Sequence, residues 1–361
     1  MIQLPILLII VFIISLILNY LEFHKKKNAM EIVNDMGIGW NLGNVFECYG
    51  DYKEIKIPDD QITLWGNIVP TKQMIVNIKK YGFKTIRIPI TWMYFMDSSG
   101  KVNLDWMFRI KEVVNWTITE NMYCIINIQY DGNEGNWLNK GLKSKEKYIF
   151  LWTQIANEFQ NFDEHLIFES MDNSPFYVGE HYDFETLFIL NQLFVDIIRN
   201  SGGNNKFRLL IISGANSEID LTCSSEYKMV NDSFNIIAVS MHYFLPKEFT
   251  LEPDDNPWIS VIDGVTYVDK PITKWGTEND YNEMFTNFET IKQAFIDKGI
   301  PVIITGTSVL TEQRKEQESI REFLFAVFSM SGSYNGIMSC LWDNSKKGSG
   351  DMNYYDREND K

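Results

Sequence analysis

Eight short apolar runs recur along the chain, separated by segments in which apolar residues fall every three or four positions. The runs are 36–41, 83–90, 122–130, 165–171, 208–214, 234–244, 301–308 and 336–344. They are continuous rather than alternating, as strands covered on both faces read. The helical period between them is clear in three places. Thr71 predicts a cap for a helix that carries Met74, Ile75 and Ile78 on one face and stops at Gly82. A second helix is expected over 104–120, with Trp106, Ile110 and Val113 inward. A third carries Phe288, Ile291 and Phe295 and ends at Gly299, with Pro301 just beyond. No low-complexity linker divides the series. Strict alternation of helices with eight strands predicts an α/β protein, a (β/α)8 TIM barrel. A doubly wound open sheet shares the alternation, but no glycine-rich phosphate loop follows the first strand.

The first thirty residues read as a separate unit. Leu4 to Leu18 is apolar apart from Pro5 and Ser15, a length between a signal-peptide core and a full membrane span of about 20 residues. No Lys or Arg precedes this run, while Lys25, Lys26 and Lys27 follow it, the reverse of the usual signal-peptide order. Residues 1–30 are therefore expected to be a secretory signal or an uncleaved membrane anchor, and 31–361 one barrel domain. The protein is expected to be secreted, or anchored by this single segment, with membrane contact only there.

Composition changes the picture in three ways. At 45% hydrophobic and 14% aromatic, 361 residues can bury a large core, which excludes intrinsic disorder. The charge sum is 33 − 48 = −15, which argues against a nucleic-acid partner, because phosphate binding needs clustered Lys and Arg. Four cysteines and four histidines show no spacing for a metal site, so no metal is expected. Cys124 and Cys340 lie inside apolar runs and read as small buried residues; a disulfide between Cys48 and Cys223 stays open.

In such a barrel, chemistry sits at the carboxyl ends of the strands. In order, those ends carry Asn41 and Asn44, Arg87, Gln129 with Tyr130 and Asp131, residues 172–174, Asn216, His242, residues 305–308, and Trp342 with Asp343. Trp92 and Trp137 lie just beyond two of them. Convergent hydrogen-bonding groups beside indoles suit a sugar, whose hydroxyls need polar partners and whose apolar face stacks on Trp.

Ten segments then carry a resemblance: MGIGWNLGN (36–44), WGN (65–67), GFKTIRIPITW (82–92), NMYCIINIQYD (121–131), WTQIANEF (152–159), HLIFE (165–169), VSMH (239–242), KWG (274–276), PVII (301–304) and LWDN (341–344). In this order they resemble the cellulases of glycoside hydrolase family 5, the endo-β-1,4-glucanase branch, over roughly residues 31–357. The resemblance implies a (β/α)8 barrel, retaining hydrolysis of β-glucans and no cofactor. It implies a β-glucan or cello-oligosaccharide as ligand, met by Arg87, Trp92, Gln129, Tyr130, Asn173, His242 and Trp342. Plainer readings stand beside it: Arg87 and His242 in structural pairs, Trp92 and Trp137 in loop packing.

The departures concern the two catalytic glutamates. The family carries Asn-Glu-Pro shortly after HLIFE, where this chain has Met171-Asp172-Asn173-Ser174-Pro175. With one inserted residue the acid/base position is Ser174; without it, Asn173. The nucleophile position, after PVII, is Gly306, or Thr307 with a shift. Gln129 stands where the family has His, and Phe244 where it has Tyr. Retaining hydrolysis needs two carboxyls about 5–5.5 Å apart, and neither Ser nor Gly supplies one. The expectation is a cellulase-like protein without hydrolysis that retains glucan binding. One alternative is an active enzyme with relocated carboxylates, drawn from Asp172, Asp131, Glu134, Glu312 and Asp343. A structural relic without ligand is the other. Finally, Tyr355-Asp356-Arg357 leads in the family into a last helix for which no apolar face follows here. The barrel is thus expected to lack its eighth helix, to expose the backs of its first and eighth strands, and to self-associate through that gap.

Overall fold

All eight apolar runs fold into parallel strands that close a barrel in the computed structural model, which describes residues 27–51, 54–131, 136–251, 258–262, 265–269, 272–311, 315–345 and 351–359. The strands are β1 (Gly39–Leu42), β2 (Thr85–Ile88), β3 (Tyr123–Ile126), β4 (Leu166–Glu169), β5 (Leu210–Ser213), β6 (Ile237–His242), β7 (Val302–Thr307) and β8 (Ile337–Asp343). Each pairs with its sequence neighbour, and β8 pairs back onto β1 through Gly39 with Cys340 and Asn41 with Trp342. The segment read as a signal or anchor lies, but for residues 27–30, outside the described residues. Among those described, no helix is long and apolar enough to cross a membrane.

Around the barrel run α2 (Lys72–Lys80), α3 (Leu104–Thr119), α4 (Lys145–Phe159), α5 (Phe184–Asn200), α6 (Glu278–Ala294) and α7 (Gln317–Ser333). The starts of α2, α3, α5 and α6 are set by side chains that satisfy the first free N–H groups. Thr71 accepts from Met74 N at 3.2 Å, Asn103 from Asp105 N at 2.7 Å and Asp183 from Thr186 N at 3.0 Å. The apolar faces read from the sequence are the buried ones, with Ile75, Trp106, Ile110, Val113 and Phe288 all sealed from solvent.

Period-two alternation sorts each strand into two layers. Trp40, Ile86, Ile126, Phe168, Ile304 and Leu341 face outward into the core shared with the helices. Tyr123, Ile125, Ile211, Ile303, Met338 and Cys340 fill the interior. That interior is closed at its amino end by α1 (Ala29–Met36), whose Ala29, Ile32, Val33 and Met36 are buried in it. Asn28 and Glu31 form a reciprocal capping box at its start. The boundary expected after residue 30 therefore moves: the packed domain already includes Asn28.

Among the described residues after β8 there is no helix. The backs of the first and eighth strands are nevertheless not left open, contrary to expectation. Trp40 is 1% and Leu341 8% exposed. Tyr355 meets the Trp40 ring edge-on at 6.3 Å, and the Arg357 guanidinium lies 5.1 Å over it. Arg357 also donates to Gly43 O at 2.8 Å and Asn67 Oδ1 at 3.0 Å. The apolar gap on which self-association was expected is covered there by the returning chain. No disulfide joins Cys48 to Cys223, so the bridge left open by the sequence does not form.

Candidate active site

Arg87, at the carboxyl end of β2, organises the floor of the barrel mouth. Its Nε donates to Glu169 Oε2 at 2.7 Å, one terminal nitrogen to Asn41 Oδ1 at 3.0 Å, and the other to Asp172 Oδ2 at 2.9 Å and Gln129 Oε1 at 3.4 Å. Asn41 in turn donates to Thr305 O and Leu341 O, joining β1 to the ends of β7 and β8. Asp172 is fully engaged: Ser217 Oγ donates to it at 2.7 Å, Asn173 N at 2.8 Å, and His242 Nε2 lies 3.1 Å away. Arg87, Glu169 and Asp172 are 0–3% exposed, so Arg87 sits below the mouth in the ion pair of its plainer reading.

The electrostatics follow from burial and pairing. Burial opposes ionisation of Asp172, but His242 and Arg87 outweigh it and hold the carboxyl well below its usual range. Glu169 goes the other way: burial and the neighbouring Asp172 charge push it up more than Arg87 pulls it down. One guanidinium thus serves two carboxyls unequally. Glu169 Oε1 is left buried without a hydrogen-bond partner.

The chain after β4 decides which side chain reaches the mouth. Asp172 N donates to Ile128 O, and Asn173 then adopts φ 45°, a left-handed conformation that Asn tolerates. This breaks strand alternation: Asp172 turns to the floor, Asn173 lines an open pocket, and Ser174 turns inward, its hydroxyl 3.0 Å from Tyr182 OH. Ser174 is 1% exposed. The pocket of about 260 Å³ is lined by Asn173, Asn216, Glu218, His242, Phe244 and Lys247, among others.

Gly306 pairs in register with His242 across β6 and β7. A Cβ there would lie 3.3 Å from Phe244 Cε2 and 3.4 Å from His242 Cδ2. Thr307 carries a hydroxyl that is fully buried without a hydrogen-bond partner. Opposite, Trp342 is half-buried over the end of β1, where Gly43 allows close approach: a Cβ on Gly43 would sit 3.2 Å from the indole. Gln129, expected to meet sugar, is instead buried at 1% exposed, because its side chain bridges Arg87 and Asn127 in the floor. Tyr130 is half-buried at the rim.

Trp92 is a correction. Expected to meet sugar, it is fully buried, and its indole N–H donates to Asn127 O at 2.9 Å. Its loop turns the ring into the core instead of the mouth. Asp131 and Asp343, candidates for relocated carboxylates, are also buried. Asp131 accepts from Trp92 N and Trp137 Nε1, and Asp343 from Trp40 Nε1. Glu134 and Glu312 lie outside the described residues. Neither Ser217, which donates to Asp172, nor Glu169, which accepts from Arg87, is among the site residues expected from the sequence. A polar residue at a strand end was the only available signal for either.

Chemically, the mouth offers donors and acceptors around an open pocket, but its two floor carboxyls are locked beneath it. Among the described residues no group of three His, Cys, Asp or Glu side chains could hold a metal ion.

The family model for Cellulase (glycosyl hydrolase family 5) matches residues 48–348. Endoglucanase A of Clostridium longisporum is 32% identical over 334 residues, which cover 89% of this chain and 60% of that protein. The chain thus spans less than two thirds of that relative. Endoglucanase A of Paenibacillus barcinonensis is 30% identical over 366 residues, covering 93% and 87%. Among solved structures, a GH5-4 broad specificity endoglucanase from an uncultured bovine rumen ciliate has a TM-score of 0.90 at 57% identity, covering 93% of this chain and 94% of that one. A mutant family 5 lichenase from Caldicellulosiruptor, in complex with cellotetraose, has a TM-score of 0.83 at 29% identity, covering 93% and 92%.

Proposed function

The chain belongs to glycosyl hydrolase family 5, and we propose that within it this protein holds β-glucan without cleaving it. One observation carries the reading: the residue facing His242 across β6 and β7 is Gly306, where the family resemblance puts the nucleophile, or at Thr307 with a shift, and neither carries a carboxyl. A glycine cannot attack an anomeric carbon. The resemblance puts the acid/base at Ser174 or Asn173, and neither a hydroxyl nor an amide is acidic enough to protonate the leaving oxygen. The groups left to meet a sugar are Asn173, His242 and Trp342, with Tyr130 at the edge of the floor. The apolar N-terminal run supports export or anchoring outside the cytosol, which cell fractionation with N-terminal sequencing of the product would test.

The full chain is assayed with an aryl cellobioside and, in parallel, titrated with cellohexaose by calorimetry. Heat of binding without release of the aryl group is the expected result. A flat titration at millimolar cellohexaose would sink the reading.

A second reading, an active endoglucanase with a relocated carboxylate, is favoured by the 57% identity to a broad specificity endoglucanase. Turnover that survives purification and disappears on Asp172→Asn would establish it.

A further inference from the structure

We propose that Asn231 is the acceptor of an N-linked oligosaccharide when the chain passes through a eukaryotic secretory lumen. The proposal rests on the export reading above and goes beyond it. It assigns a covalent modification to one residue, at the end of the barrel opposite the mouth.

The acceptor pattern is Asn-X-Ser/Thr with X other than Pro, and the chain carries it at Asn115-Trp116-Thr117 and at Asn231-Asp232-Ser233. Three residues match by chance often, so the fold has to decide between the two. The first match lies inside α3, where each residue advances about 100° around the axis and positions two apart point to opposite sides. Asn115 is exposed, but Thr117 is fully buried and its hydroxyl donates to Val113 O at 3.0 Å. The folded helix hides the hydroxyl that the pattern requires.

The second match lies in the loop that leads into β6, and there the middle residue is the one turned inward. The Asp232 side chain is 1% exposed. It accepts from Arg199 Nε and from an Arg199 terminal nitrogen, each at 2.9 Å, and from Ile236 N at 3.0 Å. Asn231 and Ser233, on either side of it, are both exposed. Gln192 of α5 holds the Asn231 backbone at both its groups: Oε1 accepts from Asn231 N at 2.7 Å, and Nε2 donates to Asn231 O at 3.0 Å. Among the described residues, neither the Asn231 side-chain amide nor the Ser233 hydroxyl makes a hydrogen bond. The amide nitrogen thus stands in solvent on a backbone fixed without it, and a sugar added there breaks no native contact.

Its place in the barrel suits a bulky, hydrated group. β6 carries His242 at its mouth end, and Asn231 lies before its start, on the same end as α1. A glycan on Asn231 leaves the Asn173–His242 pocket open.

The donor is an oligosaccharide linked to a lipid pyrophosphate. A bond forms between the anomeric carbon of its first sugar and Asn231 Nδ2, and the bond from that carbon to the pyrophosphate oxygen breaks. The lipid pyrophosphate leaves with the bonding pair, and one amide proton passes to solvent.

The test expresses the full chain in a eukaryotic secretory host, with lumenal location read by protease protection. Peptide mass spectrometry follows, before and after release of N-glycans by a glycoamidase in oxygen-18 water. Wild type is expected to carry one glycan, and release should leave an oxygen-18 aspartate at 231. Asn231→Gln and Ser233→Ala are each expected to lose the glycan, Ser233→Thr to keep it, and Asn115→Gln to remain modified like wild type. Circular dichroism checks that the variants fold, and the wild-type peptide map decides even where one does not. A lumenal chain with unmodified Asn231, or with its glycan on Asn115 alone, would overturn the proposal and leave export standing. A chain that never reaches the lumen would overturn both.

Discussion

Gly306 and His242 face each other in register across β6 and β7, with room at Gly306 for a Cβ 3.4 Å from the imidazole Cδ2 and 3.3 Å from Phe244. Contacts of this length ask the two rings to give by only a few tenths of an ångström. The atoms in the way belong to side chains and not to backbone, so a substitution at Gly306 asks the two rings rather than the strand to move.

The first prediction uses that room. Gly306→Glu alone is expected to leave aryl-cellobioside turnover absent, because one carboxyl cannot perform both halves of retaining hydrolysis. Gly306→Glu combined with Asn173→Glu is expected to restore measurable release, since Asn173 and not Ser174 lines the pocket. Restoration with Ser174→Glu instead would move the acid position to Ser174.

The second concerns Asp172. Asp172→Asn removes one of two carboxyls paired with the buried Arg87, and the expected loss is about 3 kcal/mol by denaturant unfolding. The sign with pH follows from its depressed pKa. The stability it contributes is fully present above the unfolded value near 3.8 and disappears as pH falls below it. The variant should therefore show a shallower acid limb than wild type.

A third follows from Glu47 and Asp131, both fully buried. Burial pushes each up to about 7, against backbone N–H donors that favour the anion: Asn44 and Val45 for Glu47, Trp92 for Asp131. Stability from a raised carboxyl is fully present below its unfolded pKa and lost as pH rises through the folded one. Unfolding free energy should thus decline between about pH 4 and 7, on the order of 3 kcal/mol per group as an upper figure. Asp131→Asn should remove about one proton's worth of that slope, and an unchanged slope would refute the assignment.

The fourth tests the covering of Trp40. Arg357→Ala should cost about 3 kcal/mol, through the lost guanidinium–indole contact and the orphaned acceptors Gly43 O and Asp343 O. Arg357→Lys should recover less than half in thermal unfolding, because an ammonium cannot reproduce the planar fork.

The strands and the faces of α2 and α3 were legible because they are written in local periodicity. Thr71, Met74, Ile75 and Ile78 lie within one short stretch of chain, and cap and apolar face agree there. The capping box of Asn28 and Glu31 was equally local, and reading it would have placed the start of the packed domain before residue 31. The absence of glutamate at 306 and at 173–174 was also visible in the residues alone.

Trp92, Asp172 and Trp40 were not legible in this way. Trp92 follows a strand end, but its turn buried the ring; position along the chain does not specify direction once a strand has stopped. Asp172 shares no strand face with Ser174, because the left-handed backbone at Asn173 separates the two. Tyr355 and Arg357 return to cover Trp40 from more than three hundred residues away. The amino-acid sequence determined the barrel, its caps and the uncharged identities of residues 173, 174 and 306, since each depends on residues close along the chain or on identity at one position. Tertiary structure alone decided which polar groups are locked into the floor and which rings stay open at the mouth, because burial and hydrogen-bond partnership are properties of neighbours in space.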